Sequence, residues 1–107
     1  MKLSQYQIVV VNLDPTVGRE MKKTRPCIIL SPDEMNQYLS TVMVAPITSQ
    51  SRDYPTRVEV NHASAYGWIV LDQIRTVDKQ RIVHILDHLT ADESKQVKAI
   101  IREMLVD

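Results

Sequence analysis

Hydrophobic positions fall into short runs separated by polar turns, and the spacing of each run predicts an element. Gln7 to Leu13 is rich in β-branched residues and stops at an Asp-Pro turn, too short for an ordinary helix, so it predicts a first strand. Pro26 to Ser31 predicts a second, with its proline at the first position, where a missing N–H is tolerated. Ser31-Pro32-Asp33-Glu34 reads as a helix start, leading to one short turn over Glu34 to Tyr38. Thr41 to Thr48 predicts a third strand, in which Pro46 points to an edge or a bulge. Thr56 to Asn61 alternates, with Val58 and Val60 inward and Arg57 and Glu59 outward. Gly67 to Ile74 is nearly all apolar and predicts a strand covered on both faces or set against a partner. Arg81 to Leu86 reads as a last short strand, a run whose periodicity alone fits a helix as well.

The end of the chain follows a helical period. Thr90 and Glu93 form a capping box, and Val97, Ile100, Ile101, Met104 and Leu105 lie on one stripe, predicting a helix from Ala91 to Val106. Several short strands and one terminal helix make a mostly β, α+β architecture: a small, strongly bent antiparallel sheet or barrel closed by the helix. The 107 residues suit a single domain, residues 1–107, with one compact core.

Composition narrows the function classes. Thirteen basic and thirteen acidic residues cancel, so no global field marks a nucleic-acid or membrane binder, and a polyanion needs a local groove. The lone Cys27 sits in an apolar run and reads as an inert buried thiol of a reducing cytosol. No apolar run approaches the ~18 residues that span a bilayer, and no signal sequence opens the chain, so a cytoplasmic protein away from membranes is expected.

Candidate chemistry gathers in the long polar loop from Leu13 to Pro26, whose second half carries Glu20, Lys22, Lys23 and Arg25. If the second and third strands pair antiparallel with Ser31 opposite Val42, Arg25 falls beside Thr48, which opens the polar run through Ser49, Gln50 and Arg52. An arginine and a threonine then share a loop-rich rim, with Glu20, Lys22, Lys23 and Arg52 in reach. Taken alone, Arg25 reads as a solvated charge and Thr48 as an ordinary strand end. Trp68 reads as core or interface, and Tyr54, in a polar loop, is the better base-stacking candidate. His84 and His88 stand ~13 Å apart on a strand, with no carboxylate cluster to join them, which argues against a metal site.

Asp14-Pro15-Thr16, Gly18, Glu20, Arg25-Pro26, Ser31-Pro32, Asn36, Pro46-Ile47-Thr48, Tyr54-Pro55 and the run from Asp72 to Asp78 together resemble the PemK/MazF family of toxin endoribonucleases. The resemblance implies an SH3-like barrel that dimerises, cleaves single-stranded RNA at short motifs without metal or other cofactor, and is neutralised by a cognate antitoxin with an acidic disordered tail, in a complex that can bind DNA through the antitoxin. Carried over, the catalytic residues fall on Arg25, Thr48 and Glu20. Of the family's RNA site, the Asp-Gln pair falls on Asp72 and Gln73; Arg19, Lys22, Lys23, Ser49, Gln50, Arg52 and Tyr54 are further candidates for substrate contact from their places in the polar loops. The chain departs from the family in opening its first strand with Gln5-Tyr6-Gln7-Ile8, and in having Arg19 and Val70 where some members carry histidine and arginine. Two alternatives stand beside a nuclease: a non-catalytic toxin of the same barrel that poisons DNA gyrase, and an RNA- or antitoxin-binding relative without catalysis.

Overall fold

The computed structural model describes residues 2–13, 23–50 and 54–106. Seven strands form one curled antiparallel sheet: β1 (Gln7–Asn12), β2 (Thr24–Ile29), β3 (Thr41–Thr48), β4 (Arg57–Asn61), β5 (Tyr66–Val70), β6 (Arg75–Asp78) and β7 (Ile82–His88). Their order is β4-β5-β3-β2-β1-β7, and β6 also pairs β3. A short helix α1 (Asp33–Tyr38) links β2 to β3, and α2 (Ala91–Ile101) closes the chain. The mostly β architecture with a C-terminal helix is as the hydrophobic pattern predicts.

The continuous apolar runs of β1, β2 and β3 follow from the curl, because both faces of these strands are covered. Ile8, Ile28, Ala45 and Ile47 point into one cluster with Val58, Val60, Ile69, Leu71 and Val97 of α2. Their neighbours Val9, Val11, Cys27, Ile29, Val42 and Val44 point into a second, with Val77 and Ile82. Two clusters replace the expected single core, since a curled sheet alternates its side chains between two interiors.

Other differences are local. β2 begins at Thr24 rather than Pro26, so Pro26 is its third residue, opposite Val10 of β1. Pro46 is not on an edge: β3 pairs β6 over Thr41–Val44 and β5 over Ile47–Thr48, and Pro46 lies between these partners, where no ladder donor is required. The run from Gly67 to Ile74 is broken by a 3-10 turn at Leu71–Gln73, and Arg75–Asp78 forms a strand of its own. Ile69, Val70 and Leu71 are consumed by the chain's own interior rather than left on a surface. At the other end Thr90 and Glu93 complete the expected capping box, and Val97, Ile100, Ile101 and Met104 pack on the sheet. Beyond Ile101 the helix widens into a π segment, Arg102–Val106, which rotates Leu105 off the stripe and leaves it 65% exposed.

A buried polar knot fixes the β2–β3 connection. Asn36 donates from Nδ2 to the Ser31 carbonyl at 3.0 Å, and Ser31 Oγ accepts from the Met43 amide at 3.1 Å, so both buried polar side chains are satisfied. The knot holds β3 against β2 in one register.

A candidate RNA-cleavage cleft

β2 and β3 pair Cys27 with Pro46, Ile28 with Ala45 and Ile29 with Val44, which is the register that sets Arg25 opposite Thr48. The ladder stops at the two prolines. From there outward β2 stays with β1, Arg25 facing Val11 and Thr24 facing Asn12, while β3 turns to β5, Thr48 facing Trp68. The strands diverge, and a cleft of about 560 Å3 opens in the gap, lined by Thr24, Arg25 and Pro26, by Ile47 through Gln50, and by Ala63 through Tyr66.

Each wall has its own support. Leu13 donates its amide to the Lys23 carbonyl at 2.8 Å, closing the base of the β1–β2 loop beside Arg25. Arg25 is exposed, and among the described residues nothing engages its guanidinium by a hydrogen bond or ion pair. Thr48 is half-buried, and its Oγ1 accepts from the Gln50 amide at 3.2 Å, so one lone pair is committed and the hydroxyl proton stays available to an acceptor in the cleft. Gly67 explains how β5 comes so near. At φ +131° it lies against the Thr48 carbonyl, where a Cβ would stand 2.2 Å from the oxygen.

The third wall is the β4–β5 turn. His62 and Ala65 exchange backbone hydrogen bonds at 2.9 and 3.3 Å, making a tight turn around Ala63-Ser64. The His62 ring, 10% exposed, spans two carboxylates: Nδ1 lies 2.9 Å from Asp87 Oδ2, and Nε2 lies 2.7 Å from Glu93 Oε1. Ser64 Oγ donates to Asp87 Oδ1. Glu93, and then Asp87, raise the His62 pKa against the opposing effect of burial. Hydrogen bonds from Ser64 and His62 hold the Asp87 carboxyl at about 2. Burial raises Glu93, but bonds from His62 and the Thr90 amide outweigh it and its pKa falls. The turn is thus clamped to β7 and to the start of α2.

Of the residues singled out from the sequence, Arg25, Thr48, Ser49 and Gln50 share the cleft, and Lys23 is exposed beside Arg25 in an adjoining hollow with Leu13 and Thr24. Glu20, Arg19, Lys22 and Arg52 lie outside the described residues. Tyr54, Asp72 and Gln73 are not among the residues that line the cleft. Asp72 is taken up by Arg57, Nε to Oδ1 at 3.2 Å, and by Thr56 Oγ1 at 3.0 Å, bonds that lower its pKa, led by Arg57. Tyr54 carries the Arg57 guanidinium 4.9 Å from its ring centroid. Burial pushes the Cys27 thiol up to about 12 despite nearby Arg25 and Arg75, which makes it inert. Among the described residues no three His, Cys, Asp or Glu side chains converge on a metal position, and His84 and His88 remain separate on β7. No described helix is long and apolar enough to cross a membrane.

The residues missed were Thr24 and the whole third wall, Ala63 to Tyr66. The available signal was Tyr66-Gly67 after a turn of small residues, an aromatic followed by the residue that permits close approach.

Three comparisons bear on this site. A family model described as a PemK-like, MazF-like toxin of a type II toxin–antitoxin system matches residues 4–105. Endoribonuclease EndoA of Bacillus subtilis is 36% identical over 96 residues, covering 83% of this chain and 82% of that protein. Endoribonuclease MazF of Staphylococcus saprophyticus is 34% identical, covering 84% of this chain and 80% of that protein. The crystal structure of MazE–MazF (Form-II) from Deinococcus radiodurans matches with a TM-score of 0.83 at 26% identity, over 98% of this chain and 96% of that one.

Proposed function

The chain belongs to the PemK-like, MazF-like family of type II toxins, and from that premise we propose that it is an endoribonuclease cutting single-stranded RNA in the cleft between β2, β3 and the β4–β5 turn. RNA brings its own nucleophile, the 2′-oxygen beside the scissile phosphate. The protein has to align it, move protons and stabilise charge on the five-coordinate phosphorus.

Arg25 suits the last task, since its planar fork holds two phosphate oxygens and stays charged at any working pH. Thr48 donates its hydroxyl proton to a phosphate oxygen, its geometry held by the Gln50 amide. Lys23, Ser49 and Gln50, lining the cleft and the hollow beside it, are the proposed contacts to neighbouring phosphates and sugars. Glu20 is the carboxylate proposed as base. Attack of the 2′-oxygen forms its bond to phosphorus as the bond to the 5′-oxygen breaks. The 2′-proton leaves to the base and a proton reaches the departing oxygen, giving 2′,3′-cyclic phosphate and 5′-hydroxyl ends.

The observation that carries this reading is that Arg25 and Thr48, distant in sequence, line one open polar cleft. The partner proposed is a cognate antitoxin, because the family is described as toxins of type II toxin–antitoxin systems. An acidic tail laid over Arg25 competes with RNA by charge. A two-fold dimer is the proposed assembly.

Incubating the purified protein with a long RNA in EDTA tests the activity. Discrete fragments with cyclic-phosphate and 5′-hydroxyl ends are expected, abolished by Arg25→Ala and by deoxyribose on the 5′ side of the cut. Binding without cutting would leave only an RNA-binding relative. Intact RNA together with inhibited gyrase would overturn the nuclease reading in favour of the gyrase-directed one.

A further inference from the structure

We propose that Tyr66 is the nucleobase platform of the cleft, the face on which a base flanking the scissile phosphate stacks; the inference rests on the nuclease reading above. Tyr66 is 68% exposed at the first position of β5, yet it lines the same cleft as Arg25 and Thr48. A large aromatic ring held open to water beside a phosphate-binding arginine has the chemistry that single-stranded RNA requires. Unpaired bases are caught by π-faces while charged groups hold the backbone.

The surroundings prepare the ring for this use. Ala63 and Ala65 flank the turn with small side chains and leave room in the cleft. Gly67, next in the chain, brings β5 against the Thr48 carbonyl, so the ring stands within a residue of the strand crossing where Thr48 is fixed. Across the hairpin Tyr66 pairs with Asn61, and the adjacent turn is tied down through His62 and Ser64 to Asp87 and Glu93. A ring on so restrained a backbone loses little freedom when a base lands on it. Tyr54, the other exposed tyrosine near the site's sequence, is already covered by Arg57 and is not part of the cleft lining.

A long RNA digested by the wild-type protein first locates a cut. A short oligoribonucleotide containing it is then prepared intact and with an abasic ribose immediately 5′ or immediately 3′ of the cut. Stacking on one base predicts that Tyr66→Ala lowers kcat/KM about 5- to 150-fold, mainly through KM, and that Tyr66→Phe stays within about threefold of wild type. At one of the two positions the abasic substrate should slow the wild type by a similar factor and Tyr66→Ala hardly at all. Equal losses by both proteins at both positions, or a Tyr66→Phe variant as impaired as Tyr66→Ala, would overturn the platform. In that case wild-type cleavage still stands, whereas a wild type that cuts nothing sinks the nuclease reading itself. The exposed ring predicts an unchanged melting temperature in both variants, which separates lost binding from lost folding.

Discussion

Replacing Gly67 by alanine should damage the cleft from a position outside its lining. The added Cβ would lie 2.2 Å from the Thr48 carbonyl oxygen, 2.7 Å from its carbon and 3.1 Å from Ser49 Cα. All three are backbone atoms, so no rotamer change relieves the clash. Carbon–oxygen contacts settle near about 3.4 Å, which requires β5 and the Thr48–Ser49 segment to part by roughly 1 Å. Gly67 also sits at φ +131°, a conformation costing a side-chain-bearing residue about 1–3 kcal/mol, and overpacking adds about 1–3 kcal/mol more. A loss near 3 kcal/mol lowers the melting temperature of a domain this size by about 12–24 °C. A shift of about 1 Å at Thr48 lowers cleavage by about 100-fold in the protein that remains folded. Circular dichroism melts and initial rates on a fluorogenic oligoribonucleotide, taken well below the variant's transition, read the two effects separately. Glu59→Ala, on the exposed face of the neighbouring β4, is the control that should change neither. A Gly67→Ala protein melting within about 3 °C of wild type and cutting within about threefold would refute the close approach of β5 to Thr48, and with it the account of how Thr48 is held.

Thr48→Val keeps the shape and removes the hydroxyl; kcat should fall about 10- to 100-fold, as for loss of a hydrogen bond to a charged group, while Thr48→Ser retains most activity in the same assay. The melting temperature should barely move, because the Gln50 amide that loses its acceptor is exposed to water. Stability should also depend on pH through His62. Its pKa is raised in the folded state, so the contribution is complete below the unfolded value near about 6.5 and is lost as pH climbs through the higher folded value. Asp87 and Glu93 are lowered, so their contribution is present above about 4 and fades only as pH falls through their folded values. Melting temperature should therefore decline from mildly acidic into alkaline solution, and His62→Gln should flatten that slope. The buried half of the clamp, His62 to Glu93, sets its size at about 1–2 kcal/mol after screening. A wild type and a His62→Gln variant with the same pH profile would refute the clamp.

What the sequence disclosed followed the range of the interaction behind it. The bounds of β3, the inward Val58 and Val60, and the capping box at Thr90 all rest on neighbours a few residues apart, and period and capping chemistry register them directly. The break at Leu71–Gln73 left no such mark, because Val70 and Leu71 are buried whether the chain runs extended or turns. β6 escaped because only Val77 of its four residues is buried, too little for a period of two to appear. Tyr6, at φ 67°, holds a left-handed conformation that depends on its amide reaching the Ile29 carbonyl and its own carbonyl receiving the Leu89 amide. The arrival of Arg25 and Thr48 at one cleft was legible because one short connection and one register set it. The wall bearing Tyr66 was not, since it needs β5 to pair with β3 at Ile47–Thr48, beyond the stretch that pairs with β6, and needs β7 and α2 to hold the turn.

The divergence of β2 from β3 explains why the cleft lies where it does. A sheet occupies its own donors, so chemistry on a phosphodiester needs a place where pairing stops without the fold coming apart. Leu30 bonds across to Met43, so by alternation Pro26 faces β3, and just past the last pair, Cys27 with Pro46, it lacks the N–H group that would carry the ladder to the rim. Past that pair each strand keeps a different companion, β2 with β1 and β3 with β5, so both remain ordered while the space between them opens. Arg25 and Thr48 are the first residues beyond this point that can turn a hydrogen-bonding side chain into the gap. Their convergence is thus a consequence of where the β2–β3 ladder ends, and β5 lies closely enough against Thr48 that position 67 requires glycine and position 66 borders the cleft.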